Sequence, residues 1–140
     1  MNFSQSVSTC FQKYLDFKGR ASRSEFWYFF LFSFIASVVA GGLIGVLTRP
    51  SDEVPIILFV VVIALFVPLL SVTVRRFHDF GVSGWMYCAF IPPLMISGYI
   101  QDTQPSLAGI IKLGTLVVFC VYVSQKPNKR KNKFGSFPKK

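Results

Sequence analysis

The chain has 140 residues, 52% of them hydrophobic and 15% charged, with a mean hydropathy of +0.52 and a formal net charge of +9. Its charges fall almost wholly between four apolar blocks rather than within them, which excludes an ordinary water-soluble domain and indicates an all-α, polytopic membrane protein. Basic loops retained in the cytoplasm account for the positive charge, and no base-stacking module accompanies it, so nucleic acid is excluded as a partner.

Residues 3–17 set Phe3, Val7, Cys10, Phe11, Tyr14 and Leu15 at helical spacing with polar residues on the other faces. The pattern is too polar to span, so it predicts an amphipathic helix. That helix either lies in the cytoplasmic membrane interface or docks on the protein's own loops. Ser22-Arg23-Ser24-Glu25 has the spacing of a capping box and marks the start of the first span.

A helix needs roughly 20 apolar residues to cross about 30 Å of hydrocarbon. The blocks at 26–47, 54–74, 82–100 and 107–124 are accordingly read as four transmembrane helices. The third is long enough only if Val82, Ser83 and Gly84 are counted, and the fourth contains Lys112, so a re-entrant hairpin is the alternative for that pair. Residues 1–124 thus make one membrane domain, and 125–140 a basic tail of net charge +7.

In the first span Ser33, Ser37, Gly41 and Gly45 recur every four residues, a stripe of small side chains that lets helices approach closely in lipid. Packing against another span of the same chain is expected, with a homodimer seam as the alternative. Pro68 and Pro92-Pro93 are expected to kink the second and third spans. Trp27, Tyr28, Trp85 and Tyr87 fall where an aromatic belt meets the headgroups. Lys112 lies about 7–9 Å below the outer boundary at 1.5 Å per residue, within reach of the headgroups for an extended lysine. No intramembrane Asp or Glu supplies the relay that proton-coupled transport uses. The tail is too poor in apolar residues to fold alone and is expected to be loose or to lie on an anionic leaflet.

Thirteen of the fifteen lysines and arginines precede the first span, follow the second or follow the fourth, which places both termini in the cytoplasm. The N-terminus lacks the pattern of a cleavable signal peptide. Cys10, Cys88 and Cys120 are isolated and suggest neither a disulfide framework nor a zinc site. Acylation of Cys10 is an alternative to plain packing.

The same topology brings Arg20, Arg23 and Glu25 to the membrane face that carries Arg75, Arg76, His78 and Asp79. Arginine captures carboxylate or phosphate in a planar, bidentate manner, Gly81 and Gly84 allow a tight turn, and Ser83 can cap the next helix and offer its hydroxyl. Two readings follow. In one, Arg20, Arg23, Arg75, Arg76, His78 and Ser83 hold an anionic lipid headgroup. In the other, Glu25 and Asp79 pair with the arginines and, with Gly81, Gly84 and Trp85, only hold the helix bases together.

Three motifs carry a resemblance: Asp16-Phe17-Lys18-Gly19-Arg20-Ala21-Ser22-Arg23-Ser24-Glu25-Phe26-Trp27, the stretch from Arg75 to Trp85, and Asn132-Lys133-Phe134-Gly135 with Pro138. Together they resemble the bacterial inner-membrane family designated domain of unknown function 805, over nearly the whole chain. Phe77, Val82, Lys133 and Phe137 depart from the residues more typical of that pattern. The resemblance implies a small integral protein of the bacterial cytoplasmic membrane with several helices, and it implies no reaction.

An enzyme is not expected. A lone His78 beside Asp79 cannot build a metal-dependent hydrolase, and no elbow or third partner serves Ser83 as a nucleophile. No cofactor or metal is expected either. Two classes are left: a binding or scaffold protein that recognises anionic membrane lipids or a protein partner, and a transport component for a lipid or small amphiphile, functioning as a homo-oligomer. A faint echo between the helix starts at Phe26-Trp27-Tyr28 and Gly84-Trp85-Met86-Tyr87 has the form of a transporter repeat, and interface chemistry explains it equally well.

Overall fold

The structure, a computed structural model, describes residues 2–47, 56–127 and 132–135. They form α1 (Phe3–Gln12), α2 (Arg23–Leu47), α3 (Ile56–Asp79), a 3-10 segment (Gly84–Phe90), α4 (Ile91–Tyr99) and α5 (Pro105–Val123). Among the described residues the β pairing is limited to an isolated bridge between Asn132 and Gly135.

The helices α2, α3 and α5 are long and apolar enough to cross a membrane. Phe34, Val38 and Leu43 of α2, Phe59 and Val60 of α3, and Leu113, Val117 and Val121 of α5 all point outward. Water would not tolerate that much contiguous apolar surface, whereas acyl chains solvate it at no cost.

The region 82–100 differs from the single transmembrane helix expected there. Its first part winds as a 3-10 helix, and a new α-helix starts at Ile91 with prolines in its first turn. Proline has no amide to donate, and first-turn amides have no partner within the helix, so Pro92-Pro93 begin a helix instead of bending one. Among the described residues three helices, not four, therefore have the length and composition of a span. The chain path still reverses twice after α3. Arg76 near the end of α3 donates to the carbonyl of Val123, the last residue of α5, at 2.9 Å, so the 3-10 segment and α4 carry the chain away and α5 brings it back. At about 2.0 Å per residue for a 3-10 helix and 1.5 Å for an α-helix, that outward leg measures roughly 27 Å.

The helix expected over 3–17 is shorter and packs on the protein itself. Ser6 and Cys10 of α1 are fully buried, and Phe3 and Phe11 meet Tyr28 and Phe29 of α2 edge to face. The chain leaves helical geometry after Gln12 because Ser71, buried on α3, offers its hydroxyl to the carbonyls of Lys13 and Asp16 at 3.0 and 2.7 Å. Orphan carbonyls at a helix end need such donors.

The small-residue stripe on α2 does not pack as expected. Ser33 is buried, but Ser37, Gly41 and Gly45 are exposed, and a methyl group at either glycine would have nothing within 4 Å. Lys112 is exposed and its ammonium donates to Gln101 in the turn before α5, the outward reach expected of it. Residues 54 and 55 of the second predicted span, Arg49, Asp52 and Glu53 of the loop before it, and Pro138 of the tail lie outside the described residues.

Candidate functional site

The charged residues of the two arginine motifs converge where α2 begins and where α3 and α5 end. Ser22 caps α2 by accepting the Glu25 amide at 3.2 Å, one half of the expected capping box. The Glu25 carboxylate supplies no second half. It is buried and takes Arg75 Nη1 at 2.6 Å.

Helix α3 continues five residues past its expected end at Val74, which puts Arg76 and Asp79 one turn apart on one face. Asp79 is shared by two arginines. Its Oδ2 pairs with Arg76, and its Oδ1 accepts Arg20 Nη2 and Nε at 2.8 and 2.9 Å. Arg20 also donates to the Asp79 carbonyl at 3.0 Å. The rest of the Arg76 guanidinium is spent on main chain: Nε on Val123, Nη2 on the Gln125 carbonyl at 2.5 Å, and Nη1 on Ala21 at 3.5 Å. Its carbon lies 5.6 Å from the Phe80 ring centroid. Side-chain exposure is 1% or less for Arg20, Arg76 and Asp79, so this network is closed to solvent and lipid alike. A backbone bond from Ala21 to the Arg75 carbonyl at 3.0 Å fastens the segment before α2 to α3 directly.

Arg23 is the exception among the arginines. It is exposed and donates to the Gln125 carbonyl at 3.1 Å. Arg75 is fully buried, and its Nε and Nη2 find no hydrogen-bond acceptor among the described residues.

His78 is built into the fold from both sides. Its Nδ1 lies 3.2 Å from the Gly19 carbonyl, which can only accept, so Nδ1 carries the proton. Phe134 stacks on the imidazole at 3.8 Å between ring centroids and 7° between planes. Asn132 Nδ2 donates to the His78 carbonyl at 2.9 Å, and the Gly135 carbonyl lies 3.5 Å from Arg20 Nη1. Residues 132–135 of the tail therefore dock on the ion pairs, in contrast to the loose tail expected. Composition argues against a segment folding alone and says nothing of a segment that borrows a neighbour's imidazole.

The turn after α3 uses its glycines for structure. Gly81 has φ +88, and the amides of Gly81 and Val82 close back on the carbonyls of His78 and Phe77 at 3.1 Å each. That is the glycine-terminated Schellman arrangement, and it leaves neither amide aimed at an external anion. Gly81→Ala is expected to cost about 1–2 kcal/mol, the penalty of left-handed backbone for a residue with a Cβ, read as a fall in melting temperature. At Gly84 a Cβ would lie 2.6 Å from Val74 Cγ1, so only glycine lets the 3-10 segment cross α3 this closely. Ser83 precedes that segment with an exposed side chain that makes no capping bond, and Trp85 is 82% exposed.

Burial pushes the Cys10 thiol up to about 12, aided by the charge of Glu25 and opposed by Arg75 and Lys13. A raised value means that the folded state holds the proton more tightly. The resulting stability is complete below about 9 and is lost as the pH climbs towards about 12. At pH 8 an alkylating reagent is expected to modify the exposed Cys88 while Cys10 reacts only after denaturation, as mass spectrometry of the labelled protein would register.

Sequence reasoning missed Ser71 and the carbonyls of Ala21, Val123 and Gln125. Ser71 had left a signal, as the first polar side chain met along α3 and two turns before Asp79. The carbonyls had none, since every residue carries one.

The family model described as a protein of unknown function, DUF805, matches residues 14–136, a stretch that contains all these ion pairs and the docked tail. The chain belongs to the DUF805 family. Among its relatives, inner membrane protein YhaH of Escherichia coli strain K12 is 30% identical over 130 residues, 91% of each chain. Inner membrane protein YhaI of the same strain is 34% identical over 83 residues, which are 58% of this chain and 67% of the relative. No solved structure matches the chain.

Proposed function

We propose that this DUF805 protein is a non-enzymatic binding or scaffold protein of the bacterial inner membrane, inserted with its ion-paired end and both termini in the cytoplasm, that engages anionic lipid headgroups. One observation carries the reading. The guanidinium groups of Arg20, Arg75 and Arg76 are buried inside the fold, whereas Lys13, Lys18, Arg23, Lys126 and Lys133 stand exposed around the same end. The inner charges act as a clamp that fixes where the outer ones stand, and each basic residue close to an anionic leaflet contributes about 1 kcal/mol of attraction. The headgroup role first expected of the buried arginines thus passes to their exposed neighbours.

The positive-inside rule supports the orientation, and the outward leg through the 3-10 segment and α4 supports a fourfold traverse of the bilayer with one broken crossing. Apart from Nε and Nη2 of Arg75, the buried polar groups of Arg20, Arg76 and Asp79 are engaged with one another and with main-chain carbonyls, an arrangement suited to holding helices in place rather than to turnover.

Extracted from bilayers that mix phosphatidylglycerol and phosphatidylcholine, the protein is expected to retain phosphatidylglycerol above its bulk share in native mass spectrometry. Replacing Lys18, Arg23, Lys126 and Lys133 together by glutamine is expected to abolish that enrichment with melting unchanged. Retention in bulk proportion by the parent protein would contradict the reading.

A second reading, the transport component, has one supporting observation. An apolar cavity of about 220 Å³ lies between α2, α3, α4 and α5, walled by Phe26, Leu69, Tyr87, Leu94, Leu116 and Phe119. Reconstituted vesicles that move no lipid or amphiphile at any protein density would eliminate it.

A further inference from the structure

Along the outer flank of the bundle, α3 and the 3-10 segment enclose a groove of about 510 Å³, within the roughly 300–1,000 Å³ usual for ligand sites. Phe66, Leu70, Val74 and His78 recur every four residues and present one face of α3 to it. At 1.5 Å per residue those positions extend for about 18 Å. Trp85, Cys88 and Ile91 form the opposite wall. The depth of the groove follows from Gly84, which brings the two walls together against Val74.

Along the α3 wall polarity is confined to one end. His78 and Ser83 lie at the clamp end of the groove, and the remaining length of α3 offers it only hydrocarbon and aromatic carbon. The Ser83 hydroxyl is exposed and makes no capping bond. Two exposed cations belong to the segments that border this mouth. Lys18 follows Phe17, which lines the groove, and Lys133 Nζ lies 5.0 Å from the centre of the Phe134 ring that is stacked on His78. A slot that is apolar along its length and cationic only at its mouth matches an acyl chain that ends in a negatively charged headgroup. A zwitterionic headgroup would bring its own cation to the same two lysines.

We infer that this groove holds one acyl chain of an anionic phospholipid from the surrounding bilayer, its phosphate accepting from Ser83 between Lys18 and Lys133. Charge-assisted hydrogen bonds of this kind hold phosphate at a fixed place, whereas the diffuse attraction of a basic surface does not. The inference rests on the headgroup reading given above and adds a defined seat for the lipid.

Trp27→Phe leaves Trp85, on the groove wall, as the only tryptophan of the chain's two. In phosphatidylcholine bilayers containing a small fraction of phosphatidylglycerol with brominated acyl chains, Trp85 fluorescence is expected to be quenched several-fold more than by the same fraction of brominated phosphatidylcholine. Ser83→Asp puts a like charge at the phosphate position on an exposed side chain and is expected to erase the difference without changing the melting temperature. Leu70→Phe, which fills the groove, is expected to lower quenching by either lipid. Equal quenching by the two lipids in the parent, or a preference untouched by Ser83→Asp, would overturn the inference. If phosphatidylglycerol is still enriched in the extracted protein while Trp85 shows no preference, the groove is wrong and the headgroup reading stands; if neither shows a preference, both fall.

Discussion

Asp79→Ala is expected to destabilise the protein by about 3–5 kcal/mol, the cost of removing one partner from a buried ion pair. Two arginines depend on this carboxylate, and both are all but fully buried. Neither guanidinium can move into water, because Arg76 is held by the carbonyls of Val123 and Gln125 and Arg20 by that of Asp79 itself. Truncation therefore leaves two buried cations in contact range without the carboxylate that lies between them. Asp79→Asn keeps the shape and an acceptor oxygen but not the charge, and is expected to recover only part of the loss. Thermal unfolding in detergent measures both variants, and an unchanged melting temperature for Asp79→Ala would show that the pair contributes nothing.

Glu25→Leu comes second, with a similar loss of about 3–5 kcal/mol, and it has an unusual rescue. Among the described residues two donor nitrogens of Arg75 find no acceptor, and its ion pair is the one with Glu25 at 2.6 Å. Removing Glu25 alone isolates a fully buried cation. Removing both charges, with Arg75→Met to keep the volume, leaves apolar side chains among Phe26, Phe29, Val72 and Phe77, which already form the core here. The double variant is expected to regain most of the stability lost by Glu25→Leu, since buried ion pairs are often replaced by hydrophobic residues at little cost. A double variant as unstable as Glu25→Leu would mean that Arg75 is needed for something other than its pair.

The parts of this fold that were legible from sequence are those governed by long, local patterns. Apolar length gave α2, α3 and α5, and the Ser22 to Glu25 spacing located the start of α2. The meeting of Arg20, Arg23 and Glu25 with Arg75, Arg76, His78 and Asp79 could be read because topology alone puts both motifs at one end. Whether those arginines faced out or in could not be read, since a guanidinium that pairs with Asp79 and one that waits for a phosphate use the same residue types. Burial decided it, and burial depends on Ala21, Val123 and Gln125 offering carbonyls that sequence does not mark. Pro92-Pro93 misled for a related reason. A proline pair reads equally as a kink within one helix or as the first turn of another, and the 3-10 winding upstream of Ile91 chose the second. The tail was misjudged because Phe134 is one aromatic among lysines, and its partner, the His78 ring, belongs to a helix more than fifty residues away.

The start of α2, the end of α3 and the end of α5 must share one side of the membrane, because one cluster of buried arginines ties them together. Single cysteines at Lys18, Asp102 and Lys126, in a background with Cys10, Cys88 and Cys120 replaced, test this with a membrane-impermeant maleimide applied to intact spheroplasts. Position 102 is expected to react at once, and positions 18 and 126 only after the membrane is permeabilised. Reaction of 18 and 126 from opposite sides would contradict the clamp, and with it the orientation and the lipid contacts assigned to this end.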